Sequence, residues 1–121
     1  MGSSLRQDLQ SALSHDSATT FDVSNTTTTI VSTTGYWRLT FMSNAGGSPT
    51  QRNSIILTDG ATPKTVWKHV MNGSGTDSIN VDIIILAKAG DSIQLKSDST
   101  SCSLAGSVRQ LADLSGNLVN P

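Results

Sequence analysis

From Thr19 onward apolar and polar residues alternate with a period of two, the spacing that sends every second side chain to the same face of a pleated strand. Segments at 19–25, 28–33, 35–43, 53–58, 64–71, 78–87, 91–97 and 103–114 carry β-branched or aromatic residues and are bounded by Gly, Asn, Asp, Ser or Pro. That pattern predicts about eight strands. Within 35–43 the alternation puts Trp37, Leu39 and Phe41 on one face and Tyr36, Arg38, Thr40 and Met42 on the other. The first set, with Trp67 from the segment 64–71, is the expected anchor of a core.

Turn chemistry divides the strands. Asp59-Gly60, between Ile55-Ile56-Leu57 and Val66-Trp67, supplies residues that tolerate positive φ and predicts a hairpin. Ala45-Gly46-Gly47-Ser48-Pro49 and Asn72-Gly73-Ser74-Gly75 read as longer surface loops. Ile83-Ile84-Ile85-Leu86 is an unbroken apolar run, and in an antiparallel sheet such a run implies cover on both faces. The outer cover is either a neighbouring subunit or another part of the same chain; for the first, Ile83, Ile85 and Tyr36 are the expected contact residues.

The period differs before Thr19. Leu5, Leu9, Ala12 and Leu13 recur on one helical face and Ser4 with Gln7 fits a capping box, which predicts a short helix over 4–13. About ten residues of helix are marginal alone in water, so its apolar face must dock on its own domain or on a partner. The expected organisation is an N-terminal arm at 1–17 and one all-β domain at 18–121.

With 121 residues the chain is the size of a single domain. Lys and Glu are scarce, Ser and Thr abundant, and the formal net charge is -1. Eight scattered Lys and Arg residues do not make the basic stripe that nucleic acid requires. No apolar run reaches the length of a membrane span, and the N-terminus lacks a basic region followed by an apolar stretch, so neither a membrane nor a secretory leader is expected. A single cysteine, Cys102, excludes an internal disulfide and fits folding in a reducing cytoplasm.

Catalytic constellations are missing from the pattern. His15 sits in a polar stretch beside Asp16, a poor place to hold a general base, and His69 shares a strand face with Trp67, where a hydrogen-bonded structural histidine is expected. No serine lies in a Gly-x-Ser-x-Gly elbow, and Cys102 has no base near it in sequence. One Cys and two separated His cannot form a zinc cage. Asp59, Asp77, Asp82, Asp91 and Asp98 match no calcium-loop spacing. We therefore expect no catalytic residue, no metal and no cofactor.

Two stretches resemble a known architecture. Gly35-Tyr36-Trp37-Arg38-Leu39-Thr40-Phe41 resembles the Gly-x-aromatic-x-apolar-x-aromatic strand of the complement-globular and tumour-necrosis-factor-like jelly rolls. Leu86-Ala87-Lys88-Ala89-Gly90-Asp91-Ser92-Ile93-Gln94-Leu95 is similar to the Gly-Asp hairpin before a late strand of the same folds. The resemblance spans roughly 20–114 and implies an eight-stranded antiparallel jelly-roll β-sandwich assembled as a homotrimer. The closing stretch from Ser107 to Pro121 looks like the small jelly-roll cement proteins of tailed phages. This implies a capsid decoration protein, made in the host cytoplasm and carried on the virion exterior. Its partners would be itself and the major capsid protein, and it would tie neighbouring capsomers together. In that setting the arm residues Leu5, Arg6, Leu9 and Leu13 are the expected capsid contacts. The alternatives are a trimeric tail-fibre or receptor-binding knob and, from the enzyme class, a small carbohydrate-active or cupin-like protein.

Overall fold

The computed structural model describes residues 18–47, 51–70 and 75–119. Eight strands account for most of them: β1 (Ala18–Val23), β2 (Thr27–Val31), β3 (Gly35–Gly46), β4 (Arg52–Thr58), β5 (Pro63–Val70), β6 (Thr76–Ala87), β7 (Ser92–Ser97) and β8 (Ser103–Ala112). The helix expected over 4–13, with the proposed contacts Leu5, Arg6, Leu9 and Leu13, lies outside the described residues.

Pairing follows a simple rule. β1 pairs with β8, β2 with β7, β3 with β6 and β4 with β5, all antiparallel. The chain is thus one long hairpin, closed at Asp59-Gly60 and rolled up so that successive pairs alternate between two sheets. One sheet has the order β1-β8-β3-β6 and the other β2-β7-β4-β5. This is the strand order of a jelly roll, with all neighbours antiparallel.

At the closing turn Gly60 adopts φ 95°, a conformation open to glycine at no steric cost. Asp59 Oδ1 accepts the amides of Ala61 and Thr62 at 2.9 and 2.7 Å, an Asx-type turn that satisfies two backbone donors. Asn25, at φ 54°, turns the chain between β1 and β2.

The core sits between the sheets. Val23, Leu39, Phe41, Ile85, Leu104 and Val108 from one sheet meet Val31, Ile55, Ile93 and Leu95 from the other, all buried. Burying each such side chain contributes about 1.5–3 kcal/mol. Phe41 lies edge-on to Trp67, with ring centroids 5.3 Å apart, and 6.0 Å from Phe21. Gly106 pairs with Phe21 on one side and Phe41 on the other. A Cβ built there would stand 2.5 Å from Phe41 Cα and 2.6 Å from Phe41 Cβ, so glycine lets both rings close over β8.

Two expectations are corrected. The loop expected from Ala45 begins later, because Asn44, Ala45 and Gly46 continue β3 opposite Ser78, Asp77 and Thr76; Gly46 is strand backbone packed against the carbonyls of Gly75 and Ser101. Ile83 and Ile85 face the sandwich's own interior, where Ile85 is buried and Ile83 packs against the core. The outward members of that run are Ile84, 57% exposed, and Leu86. Inward side chains come every second residue, so an apolar run on an edge strand supplies both a core face and an outer face.

Candidate association surfaces and an interior polar relay

Four of the expected core anchors occupy graded positions. Leu39 and Phe41 are buried, whereas Trp37 and Trp67 are half-buried and packed against the core. The Trp37 indole Nε1 donates to the Thr33 carbonyl at 3.1 Å. Neither indole stands free as a platform for a ligand ring.

A line of polar side chains crosses one end of the interior. Asn53 Nδ2 donates to Ser43 Oγ at 2.9 Å, Ser43 Oγ lies 2.8 Å from His69 Nδ1, and His69 Nε2 lies 2.9 Å from Asp77 Oδ2. Because Ser43 accepts from Asn53, its hydroxyl proton is available to His69 Nδ1. Nε2 then carries the ring proton toward Asp77. The members alternate between sheets, Ser43 and Asp77 from β3 and β6, Asn53 and His69 from β4 and β5. The relay therefore clasps the two layers together.

Serine, histidine and aspartate in hydrogen-bond series invite comparison with a nucleophilic triad. Burial decides against that role. Ser43 has no exposed surface and His69 only 6%, so no substrate carbonyl can approach Oγ; the exposed end of the relay is the Asp77 carboxylate. The aspartates considered for calcium are engaged one by one: Asp77 with His69, Asp82 with Arg38, Asp98 with Lys96, Asp59 and Asp91 with backbone amides. Among the described residues no group of three or more His, Cys, Asp or Glu is placed to hold a metal. Cys102 is buried and free.

The sequence singles out His69 but not its partners. A signal was present: Ser43 continues the inward phase of Trp37, Leu39 and Phe41, as Asn53 does that of Ile55 and His69 that of Trp67. Polar side chains at inward positions of neighbouring strands must find one another.

Outside the core, two faces and one flank carry distinctive chemistry. On the outer face of β3 and β6, Tyr36 stands opposite Leu86, and Arg38 opposite Ile84. Tyr36, Met42 and Ile84 are 36%, 45% and 57% exposed. Arg38 binds Asp82 through two hydrogen bonds of 2.8 and 2.6 Å. Those bonds hold the Asp82 carboxyl below the usual carboxylate range and raise the guanidinium further. Being exposed, the pair orients side chains more than it stabilises the fold.

The outer face of the other sheet holds a shallow groove of about 640 Å³, where Lys68 and Lys96 flank Ser54 in register and Arg52 lies beside them. Lys96 is partly neutralised by Asp98 at 4.0 Å. At the flank formed by β1 and β2 a recess of about 340 Å³ opens between the sheets, with Phe21, Ile30 and Val108 inside and threonines around it.

No family model matches this chain, and no curated protein matches it. Solved structures do. A pentameric capsid protein isolated from metagenomic phage sequences superposes with a TM-score of 0.79 at 32% identity, over 96% of this chain and 74% of that one. A second structure of a pentameric capsid protein from metagenomic phage sequences, solved by iodide SAD phasing, gives 0.78 and 32%, over 96% of this chain and 76% of that one. With 32% identity sustained over nearly its whole length, the chain belongs to the family of phage capsid proteins that these structures represent.

Proposed function

We propose that this protein is a structural component of a phage virion that works by adhesion between identical copies, closing into a ring of five. The observation that carries the proposal is 32% identity over 96% of the chain to a capsid protein that is itself pentameric. The threefold assembly implied by the tumour-necrosis-factor-like resemblance rests on two short motifs, so the likeness spanning the chain takes precedence. A five-membered ring matches the fivefold positions of an icosahedral shell. Each copy contributes modest contacts, and their sum over the ring makes attachment strong. Contact with the major capsid protein, on the shell exterior and through the arm bearing Leu5, Arg6, Leu9 and Leu13, completes the proposal.

Two measurements test it. Light scattering on a sizing column should give five times the 12.7 kDa of one copy; a monomer overturns self-association, and a trimer overturns the fivefold ring. Purified protein should co-sediment with shells of its own phage prepared without it, and a variant lacking residues 1–16 should do so far less. Binding to host cells in place of shells would overturn the capsid role in favour of a receptor-binding knob.

A further inference from the structure

A ring of more than two identical copies cannot be built from one self-complementary patch, because a patch that binds itself is used up in a dimer. Each copy must instead offer two different surfaces, on opposite flanks, so that the same rotation carries every copy onto the next. The sandwich has such a pair. β6 and β1 are the two edges of one sheet, and the chemistry at these edges differs.

Toward β6 the outer face sets an apolar group beside the Arg38–Asp82 pair. Ile84 is 57% exposed toward the C-terminal end of an edge strand, with Tyr36 and Leu86 beside it and Met42 further along β3. Large aliphatic and aromatic side chains clustered on one face of a small domain mark a contact surface rather than chance exposure. Toward β1 the flank is recessed. The opening of about 340 Å³ between β1 and β2 leads to Phe21 and Ile30, which pack against the core, and its rim includes Thr20, Asp22 and Thr28, all exposed. An apolar floor inside a rim of threonines and Asp22 is the complement of an apolar group set beside the Arg38 guanidinium and other polar neighbours.

We infer that the Tyr36–Ile84–Leu86 face of one copy docks into the β1–β2 recess of the next, a head-to-tail contact that repeats around the ring. This rests on the proposed self-association and specifies which surfaces carry it. The occupant is a second copy of this chain, in keeping with the pentameric relatives. Charge allows it, since a formal net charge of -1 and only 14% charged residues leave little repulsion between copies.

The test uses two single variants of the full chain. Ile84→Asp places a carboxylate on the knob and leaves the recess intact; Thr20→Arg fills the recess and leaves the knob intact. Both sites are exposed, so thermal unfolding of the monomeric variants should stay cooperative. Should Ile84→Asp lower the melting transition, Tyr36→Asp, at the exposed position opposite Leu86, replaces it. Each variant alone is expected to be a monomer at concentrations where the wild-type protein is a ring. Mixed in equal amounts, they are expected to form a dimer of one copy of each and nothing larger, since one sound knob meets one sound recess. An Ile84→Asp ring overturns the knob, a Thr20→Arg ring overturns the recess, and a mixture that stays monomeric overturns the head-to-tail pairing. A wild-type monomer would instead overturn the proposed ring itself.

Discussion

At Asn53 a single buried amide donates to the Ser43 hydroxyl and to the carbonyls of Asn44 and Ser103, each at 2.9 Å. Leaving a buried carbonyl without a donor costs about 1–3 kcal/mol. Asn53→Ala removes this donor from both carbonyls and breaks the head of the Asn53–Ser43–His69–Asp77 relay. We expect it to lower stability by about 2–4 kcal/mol in urea titration, near the upper range for single substitutions. His69→Ala should follow the same direction, leaving Ser43 without its acceptor. Charge at residue scale sets the acid limit. The Asp59 carboxyl is held low by the amides of Thr62 and Ala61, that of Asp82 by Arg38, and that of Asp113 by the backbone and side chain of Asn117. A carboxyl with a depressed folded pKa takes up protons more readily in the unfolded chain, whose value is about 3.9. Its contribution is therefore complete above about pH 4 and lost as pH falls further. Melting temperatures measured from pH 6 to pH 2.5 should fall mainly below about pH 4, and Asp113→Asn, which keeps an acceptor oxygen while removing the titration, should flatten part of that decline.

Among elements, β8 is one of four interior strands, pairing with β1 on one side and β3 on the other. Gly106 is its point of closest approach, and a methyl group there would strike the Phe41 backbone, which cannot swing aside as a flexible side chain would. Overpacking of this kind costs about 1–3 kcal/mol, and more where backbone must move. Gly106→Ala should accordingly lower the melting temperature strongly and weaken protection of β1 amides in hydrogen exchange, because Phe21 loses its seat. After β8 the chain makes a compact turn: Asp113 Oδ1 accepts the amides of Ser115 and Asn117 at 2.9 Å, and Val119 donates to Leu111 at 2.8 Å. The turn holds Leu118 beside Ala112 while leaving it 89% exposed. Asp113→Ala should speed exchange at Asn117 and Val119 without altering the global unfolding midpoint by much, since the turn lies outside the core.

For the whole molecule, the order of the strands matters more than their number. Rolling one hairpin into two sheets joins Ala18 to Arg109 and Thr27 to Lys96, positions distant in sequence. Closing such long loops before any contact compensates is slow. It also leaves β6 and β1 as open sheet edges in the isolated copy, surfaces that a virion component can use and a free monomer must protect. A chain beginning at Ser17 should still fold cooperatively, because β1 starts at Ala18 and the described core draws only on β1–β8. A calorimetric transition of that truncated chain, compared with the full chain, checks the point.

The alternation in 35–43 determined which side of β3 is core, and Asp59-Gly60 determined where the hairpin closes. Both are local facts, set by the two-residue period of a strand and by the residues that tolerate positive φ. The helical period at 4–13, with the pair Ser4 and Gln7, is a pattern of the same local kind, and it lies outside the described residues. Only the tertiary structure decided which strands meet. Ile83 and Ile85 were legible as apolar but not as inward, because period two gives two faces without naming the buried one, and on an edge strand both can be apolar. Ser43, Asn53, His69 and Asp77 come from four strands and become neighbours only once the sheets stack. The knob at Ile84 and the recess at Phe21 likewise exist only after rolling, when the two edges of one sheet face opposite ways. Pairing across scores of residues depends on the total free energy of the packed sandwich, which no single window of sequence contains.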